Sequence, residues 1–402
     1  MGIRLSDHFT YKKLLRFVLP SIAMMVFISV YGVVDGFFVS NFAGKTSFAA
    51  INLVMPFVML LGVLLTAVGI AAMEPVARFL GATDAMIADS VLYGRIVVGF
   101  TTAFMLQNVF QSFLIAAEKP KLGLLATIAA GLTNILLDAL FVGSFGWGVA
   151  GAAIATGISQ CVGGLLPLFY FLRPNDSLLR LVRTKPELAP LVKACTNGSS
   201  ELMSSISSSV VSMVYNHQLL KYIGEDGVSA YGVLMYVQFI FVAIYIGYSV
   251  GCAPVIGYHY GAGNRDELKN LLRKSALLIG SAGVLLTLLA RLLASPLASI
   301  FVGYDETLHA LTEHAFRLIS FSFLLSGFNI FTSAFFTALN NGFVSAAISF
   351  LRTLLFQTCC VLVLPMLFDI DGIWWAITAA EVFAFAISLT FLLTKRKKYG
   401  YM

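Results

Sequence analysis

The chain has 402 residues, 59% of them hydrophobic and only 11% charged, with a formal net charge of +6. Soluble globular domains carry about 25% charged residues, so this composition excludes an ordinary soluble fold and, with it, a soluble enzyme. A mean hydropathy of +0.89 instead predicts helices that each cross roughly 30 Å of hydrocarbon.

Apolar runs predict helices over residues 14–41, 90–116, 122–142, 147–172, 197–222, 228–254, 273–297, 309–338, 343–367 and 372–394. Between the fourth and fifth of these lies a polar connector rich in basic residues and holding two prolines, which marks a lobe boundary. The predicted organisation is a first bundle over 1–172, a connector over 173–196 and a second bundle over 197–402. Lys and Arg in short loops stay cytoplasmic. One set of connections is basic: Lys12/Lys13/Arg16, Lys119/Lys121, the connector, 265–274 and the tail Lys395–Lys398. The other is acidic or neutral, with Asp84/Asp89, Glu225/Asp226, Asp305/Glu306 and Asp369/Asp371. The two sets alternate beyond residue 80, which predicts that both termini are cytoplasmic. The net positive charge belongs to these loops and implies no nucleic-acid partner.

The two halves repeat one another. GVLLT occurs at Gly62–Thr66 and again at Gly283–Thr287, an offset of 221, and Val76–Met86 lies opposite Ala298–Leu308. Repeats of this length are the mark of a two-lobed membrane transporter. Upstream, Ser47–Ala50 matches Gly227–Ala230 at an offset of 180, so the first copy is short by 41 residues, with the joint at Gly62, between 61 and 63. A straight span across 47–80 would invert all that follows, against the loop charges, so either residues 1–46 flip or this stretch is a hairpin or a distorted helix, and the latter two are expected. A hairpin at membrane depth is tolerated only where its turn is buried in protein or faces a wet cavity.

An ionisable group inside a span costs from about 2.5 kcal/mol upwards, which makes each one a functional candidate. Asp35 lies in the first span. Asp138 lies in the third predicted span, one turn after Asn134, so both fall on one helix face. Thr156 follows in the next helix, and Gln107 and Asn108 lie in the one before. Two carboxylates, an amide and a hydroxyl in one lobe suit a proton or sodium ion, because burial disfavours the charged carboxylate. The competing reading is that Asp35 and Asp138 each make a packing hydrogen bond.

The segments YGVVDGFFVS (Tyr31–Ser40), NILLDALFV (Asn134–Val142), GAAIAT with the following Ser159-Gln160, and APVIGYHYGAGNRDE (Ala253–Glu267) together resemble the multidrug and toxic compound extrusion (MATE) family, its bacterial drug-efflux members most of all. The resemblance covers the chain apart from the missing stretch. It implies an all-α, polytopic membrane protein of two pseudo-symmetric six-helix bundles, the first one shortened, around a cavity that opens alternately to either side. It further implies export of organic, cationic compounds by proton- or sodium-coupled antiport. Asp35, Asn134, Asp138 and Thr156 then form the cation site, with Na+ expected at Asp35 and Asp138 if sodium is the coupling ion, and Pro20 lets the first helix bend. The resemblance implies no cofactor beyond that ion, a monomer in a bacterial inner membrane, and only drugs and lipid as partners. Some family members carry acidic residues for sodium in the second lobe, where this chain has Asn329 near the acidic position, and the positions opposite Asn134 and Asp138 are Leu355 and Cys359, so a second cation site is not expected there.

Glu201 at the start of the fifth predicted span suits the positive end of the helix dipole, with transport chemistry the lesser alternative. Arg352 and Glu381 fall in the last two spans and are expected to pair. His217 is expected as a core histidine, and the five cysteines as small core residues. Two other functions compete: a flippase for lipid-linked sugars, and a non-transporting remnant. A flippase would need several cations for a diphosphate, and the spans offer only Arg95, Arg291 and Arg352.

Overall fold

The computed structural model describes residues 3–38, 66–79, 84–175, 177, 179, 187–303 and 305–402. Among these residues every regular element is helical and there is no strand. In chain order they are α1 (Tyr11–Phe38), α2 (Thr66–Phe79), α3 (Asp84–Gly99), α4 (Thr101–Ala116), α5 (Pro120–Asp138), α6 (Gly148–Leu172), α7 (Leu188–Tyr222), α8 (Glu225–Gly261), α9 (Arg265–Val302), α10 (Glu306–Ile319), α11 (Phe323–Ala338), α12 (Gly342–Phe350), α13 (Gln357–Val363) and α14 (Pro365–Tyr399). A π turn, Ala139–Ser144, extends α5, and another, Leu351–Phe356, joins α12 to α13. Most of the predicted 47–80 hairpin or distorted helix, and the joint at Gly62, lie outside the described residues.

Among the described residues, eight helical segments are long and apolar enough to cross a membrane, and the pair α3–α4 makes a ninth. That pair corrects the single span expected at 90–116: the helix starts earlier and bends by 51° between Gly99 and Thr101. Gly99 carries no side chain to hold the helix, and the Phe100 N–H bonds the Val97 carbonyl at 3.0 Å in a tighter 3-10 turn. The run expected at 343–367 ends sooner, at Val363, because Pro365 opens the next helix. That helix is kinked at Phe368 and Asp369, the latter with φ 50°, and closes on Gly400 at φ 70° with Arg396, Lys397 and Lys398 in its last turn.

The repeat is visible in the backbone. Glu118 (φ 63°) and Asn340 (φ 58°) end α4 and α11 in the left-handed conformation. After each, the next N–H reaches back five residues, Lys119 to the Leu114 carbonyl at 2.8 Å and Asn341 to the Phe336 carbonyl at 2.9 Å. This is a Schellman ending used twice, and each copy follows it with a helix that runs into a π turn.

Contacts divide the chain into two units, residues 23–184 and residues 3–22 with 185–402. The first half of α1 therefore belongs to one and its second half to the other. In lipid, helices associate through close backbone approach more than through hydrophobicity. In the unit of residues 23–184, α6 meets α4 along glycines: a Cβ on Gly163 would lie 2.7 Å from Gln107 Cδ, and one on Gly164 would lie 3.1 Å from the Ala103 carbonyl. Gly131 of α5 leaves room for Phe27 and Tyr31 of α1. In the other unit, Gly247 and Gly251 of α8 play this part for the first half of α1. A Cβ on Gly247 would fall 2.5 Å from Ile22 Cα, and one on Gly251 3.2 Å from Val18 Cα.

Two expectations fail. His217 lies on an exposed face of α7, not in the core. Of the cysteines, Cys252 and Cys360 are buried, whereas Cys195 and Cys359 are exposed and Cys161 is intermediate.

Candidate functional site

Asn134 and Asp138 occupy successive turns at the end of α5, 1% and 0% exposed. The chain leaves α-helical geometry immediately after Asp138, in the π turn, a distortion that recurs at functional sites because it re-aims side chains and frees backbone groups. Helix α6 packs along α5 and carries Thr156. Its Oγ1, Asn134 Nδ2 and Gln160 Oε1 are buried without a hydrogen-bond partner. Buried polar atoms are usually paired, so these three on two adjoining helices leave hydrogen-bonding capacity that a water or an ion can fill. Gln160 was not singled out in the sequence, although it stands one turn past Thr156 on the same face.

Gln107 is 6% exposed on α4, against Gly163 of α6. Asn108, its neighbour, is exposed and donates its Nδ2 to the Phe104 carbonyl at 2.8 Å, so it takes no part in this group. The backbone of Asp35 lies in the last turns of α1, one turn beyond Tyr31, which packs against Gly131 of α5. The side chains of Asp35 and Glu201 lie outside the described residues. Pro20 sits inside an unbroken α1, two residues before the boundary between the units. Among the described residues no cluster of three His, Cys, Asp or Glu could hold a metal by itself.

A second polar group lies in the C-terminal copy. Arg352, in the π turn, gives Nε to both carboxylate oxygens of Glu381 at 2.9 and 3.1 Å and Nη2 to Oε1 at 2.7 Å. Asn329 of α11 donates Nδ2 to Oε2 at 2.7 Å and to the Glu381 carbonyl at 3.0 Å. The Glu381 side chain is 2% exposed and that of Arg352 20%. The sequence offered the pair and Asn329 separately, but not the contact between them.

On the basic side of the unit of residues 3–22 and 185–402, Glu267 at the start of α9 receives the Phe9 N–H at 2.9 Å, His8 Nδ1 at 2.6 Å and Asn270 Nδ2 at 2.7 Å. Outside the spans, Asp7 is held below the usual carboxylate range, chiefly by the backbone N–H of Arg4.

These features define a multi-pass helical membrane protein built from two copies of one repeat, with a buried polar site in the first. The chain belongs to the MatE family, whose model matches residues 20–85 and 60–140 in the first half and 202–361 in the second. The first-half match comes in two overlapping pieces and spans about 40 residues fewer than the second. The chain is 24% identical over 387 residues to the multidrug export protein MepA of Staphylococcus saprophyticus, across 94% of this chain and 85% of that protein. It is 22% identical over 370 residues to MepA of Staphylococcus aureus strain N315, across 90% and 81%. In fold it is similar to a multidrug resistance MATE family transporter of the MOP superfamily in an outward-facing conformation, with a TM-score of 0.91, 20% identity and coverage of 100% of this chain and 99% of that one. It is likewise similar to a MOP superfamily transporter from Pyrococcus furiosus, with a TM-score of 0.88, 20% identity and coverage of 98% and 97%.

Proposed function

We propose that this chain is a secondary transporter that exports organic, cationic compounds in exchange for protons or sodium by alternating access. The observation that carries this reading is a carboxylate, Asp138, that is 0% exposed, with two buried oxygens that lack a partner, Thr156 Oγ1 and Gln160 Oε1, on the helix packed along its own. A carboxylate in hydrocarbon is tolerable when it is neutralised, by a proton or by a small cation that oxygen ligands surround. Asn134 Oδ1, Thr156 Oγ1 and Gln160 Oε1 are such ligands. Helices α1 and α5 both start on the basic side, so the register set by Gly131 against Phe27 and Tyr31 brings the Asp35 backbone level with Asn134–Asp138.

In this reading the cation and the drug compete for the carboxylates, so arrival of one releases the other. Movement of α1 follows from Pro20, which lacks an N–H and leaves the Arg16 carbonyl without its helical bond. The naming of the staphylococcal relatives as multidrug export proteins supports drugs as the cargo. We place both termini in the cytoplasm of a bacterium, with the protein acting as a monomer in the inner membrane and not as an enzyme.

The flippase reading loses ground because the candidate cations are engaged. Arg95 donates to the Ile70 carbonyl at 3.2 Å, Arg291 lies 4.7 Å over the Phe321 ring and Arg352 holds Glu381. The shortened first copy favours a non-transporting remnant as the second reading. Efflux from cells making the chain as it stands, beside one whose gap is refilled from a relative, separates the two. Transport by both supports an active antiporter, and transport by the refilled chain alone supports the remnant.

A further inference from the structure

Each copy of the repeat places polar residues on the same three helices. The Schellman endings at Glu118 and Asn340 set the copies in register at an offset of 222, which puts Gln107 opposite Asn329, both buried, and corrects the counterparts of Asn134 and Asp138 from Leu355 and Cys359 to Phe356 and Cys360. The glycines Gly148 and Gly372 before the last stretch of each copy put Glu381 next to the counterpart of Thr156. Arg352 comes from the helix that corresponds to the one carrying Asn134 and Asp138, one turn before the counterpart of Asn134 in the register that the Schellman endings set. The two groups differ in what fills them. In the first copy Asn134 Nδ2, Thr156 Oγ1 and Gln160 Oε1 are left without partners. In the second, Asn329 Oδ1 is likewise without a partner, but both carboxylate oxygens of Glu381 are taken, by Arg352 and by Asn329 Nδ2.

We propose that Arg352 is the resident cation of the C-terminal copy: it holds at Glu381 the place that an exchangeable proton or sodium ion takes in the N-terminal copy, and so confines coupling to the N-terminal site. The inference rests on the coupling reading above. A guanidinium suits this part because it stays protonated at any physiological pH and matches a carboxylate with two parallel donors. Being tethered, it cannot leave during a transport cycle as a free ion does. The groups facing Glu381 are Arg352 from the π turn and Asn329 from α11, with Tyr245 of α8 as the next titratable neighbour. The Tyr245 hydroxyl is committed to the Phe323 carbonyl at 2.7 Å, so it offers Glu381 no proton. A buried carboxylate stripped of Arg352 must take up a proton or a cation in its stead.

The test counts protons released when tetraphenylphosphonium binds to the purified protein in lightly buffered detergent, with sodium absent and then present. R352Q is expected to release one more proton per bound cation than wild type. R352M/E381M, which removes both charges while keeping apolar bulk, is expected to match wild type. An R352Q count equal to wild type, or a lower count in R352M/E381M, would overturn the proposal. Should R352Q not fold, the paired variant alone decides, because a carboxylate that exchanges ions in the wild type would be missed there. D138N separates the two levels of inference. An undiminished count in D138N, or no binding by the wild type, overturns the coupling reading and this proposal with it, whereas a lowered count in D138N with no gain in R352Q overturns only the role of Arg352.

Discussion

The Glu267 carboxylate receives the backbone N–H of Phe9 at 2.9 Å, and thereby fixes the segment leading into α1 to the start of α9. Phe9 is fully buried, and its carbonyl in turn accepts from Asn270 Nδ2 at 3.1 Å and from Lys274 Nζ at 2.5 Å. E267A removes the acceptor from three donors at a position only 5% exposed, so it should cost about 1.5–3 kcal/mol, the range for hydrogen bonds to a charged group. His8 is 68% exposed at its side chain, so H8A should cost less than about 1 kcal/mol, as exposed ion pairs do. Thermal unfolding of the two variants in detergent checks the order, and equal losses would contradict it.

Gly247 and Gly251 let the first half of α1 lie directly on α8. G247V places a branched side chain where Ile22 Cα would already be only 2.5 Å from a Cβ. Backbone cannot give way as a flexible side chain does, so the substitution should cost about 1–3 kcal/mol or more. Gly232, on the same helix with open space around its Cβ position, is the control. G232A should leave the melting temperature unchanged or raise it slightly, since alanine favours the helix by up to about 1 kcal/mol.

Much of this was legible in the sequence, for identifiable reasons. Apolar runs found the spans because lipid demands about 20 such residues per crossing. Asn134, Asp138 and Thr156 stood out because polar groups in a span are expensive. Other features depend on contacts distant in sequence. Nothing local marks Glu267 as the acceptor for Phe9, 258 positions away, and nothing local brings Asn329 to Glu381, 52 positions away. The bend at Phe100 was hidden because a kink changes no hydropathy. Gln160 was overlooked although it stands at an i, i+4 spacing from Thr156, a signal that was available.

Asp305 caps α10, with Oδ1 accepting from the Thr307 hydroxyl at 2.7 Å and from the N–H groups of Thr307 and Leu308 at 2.9 and 3.1 Å. The Thr307 hydroxyl foremost, then these amides, holds its carboxyl below the usual range. A carboxyl depressed in the folded state stabilises above its unfolded value, about 3.9 for Asp, and loses that contribution as pH falls through the folded value. The difference in stability between wild type and D305A should therefore be constant from neutral pH down to the ordinary carboxylate range and shrink in stronger acid. Unfolding curves across that range check it, and a difference that grew on acidification would contradict it.

The claim on which the rest depends is that Asp138 and its polar neighbours take up the ion that drives export. Ethidium efflux from bacterial cells making the unaltered chain, with D138N and D35N beside it at matched expression, tests it most directly. The unaltered chain should show efflux that a collapse of the ion gradient abolishes, with background efflux in D138N and D35N. Gradient-driven efflux by D138N at the rate of the unaltered chain would contradict it.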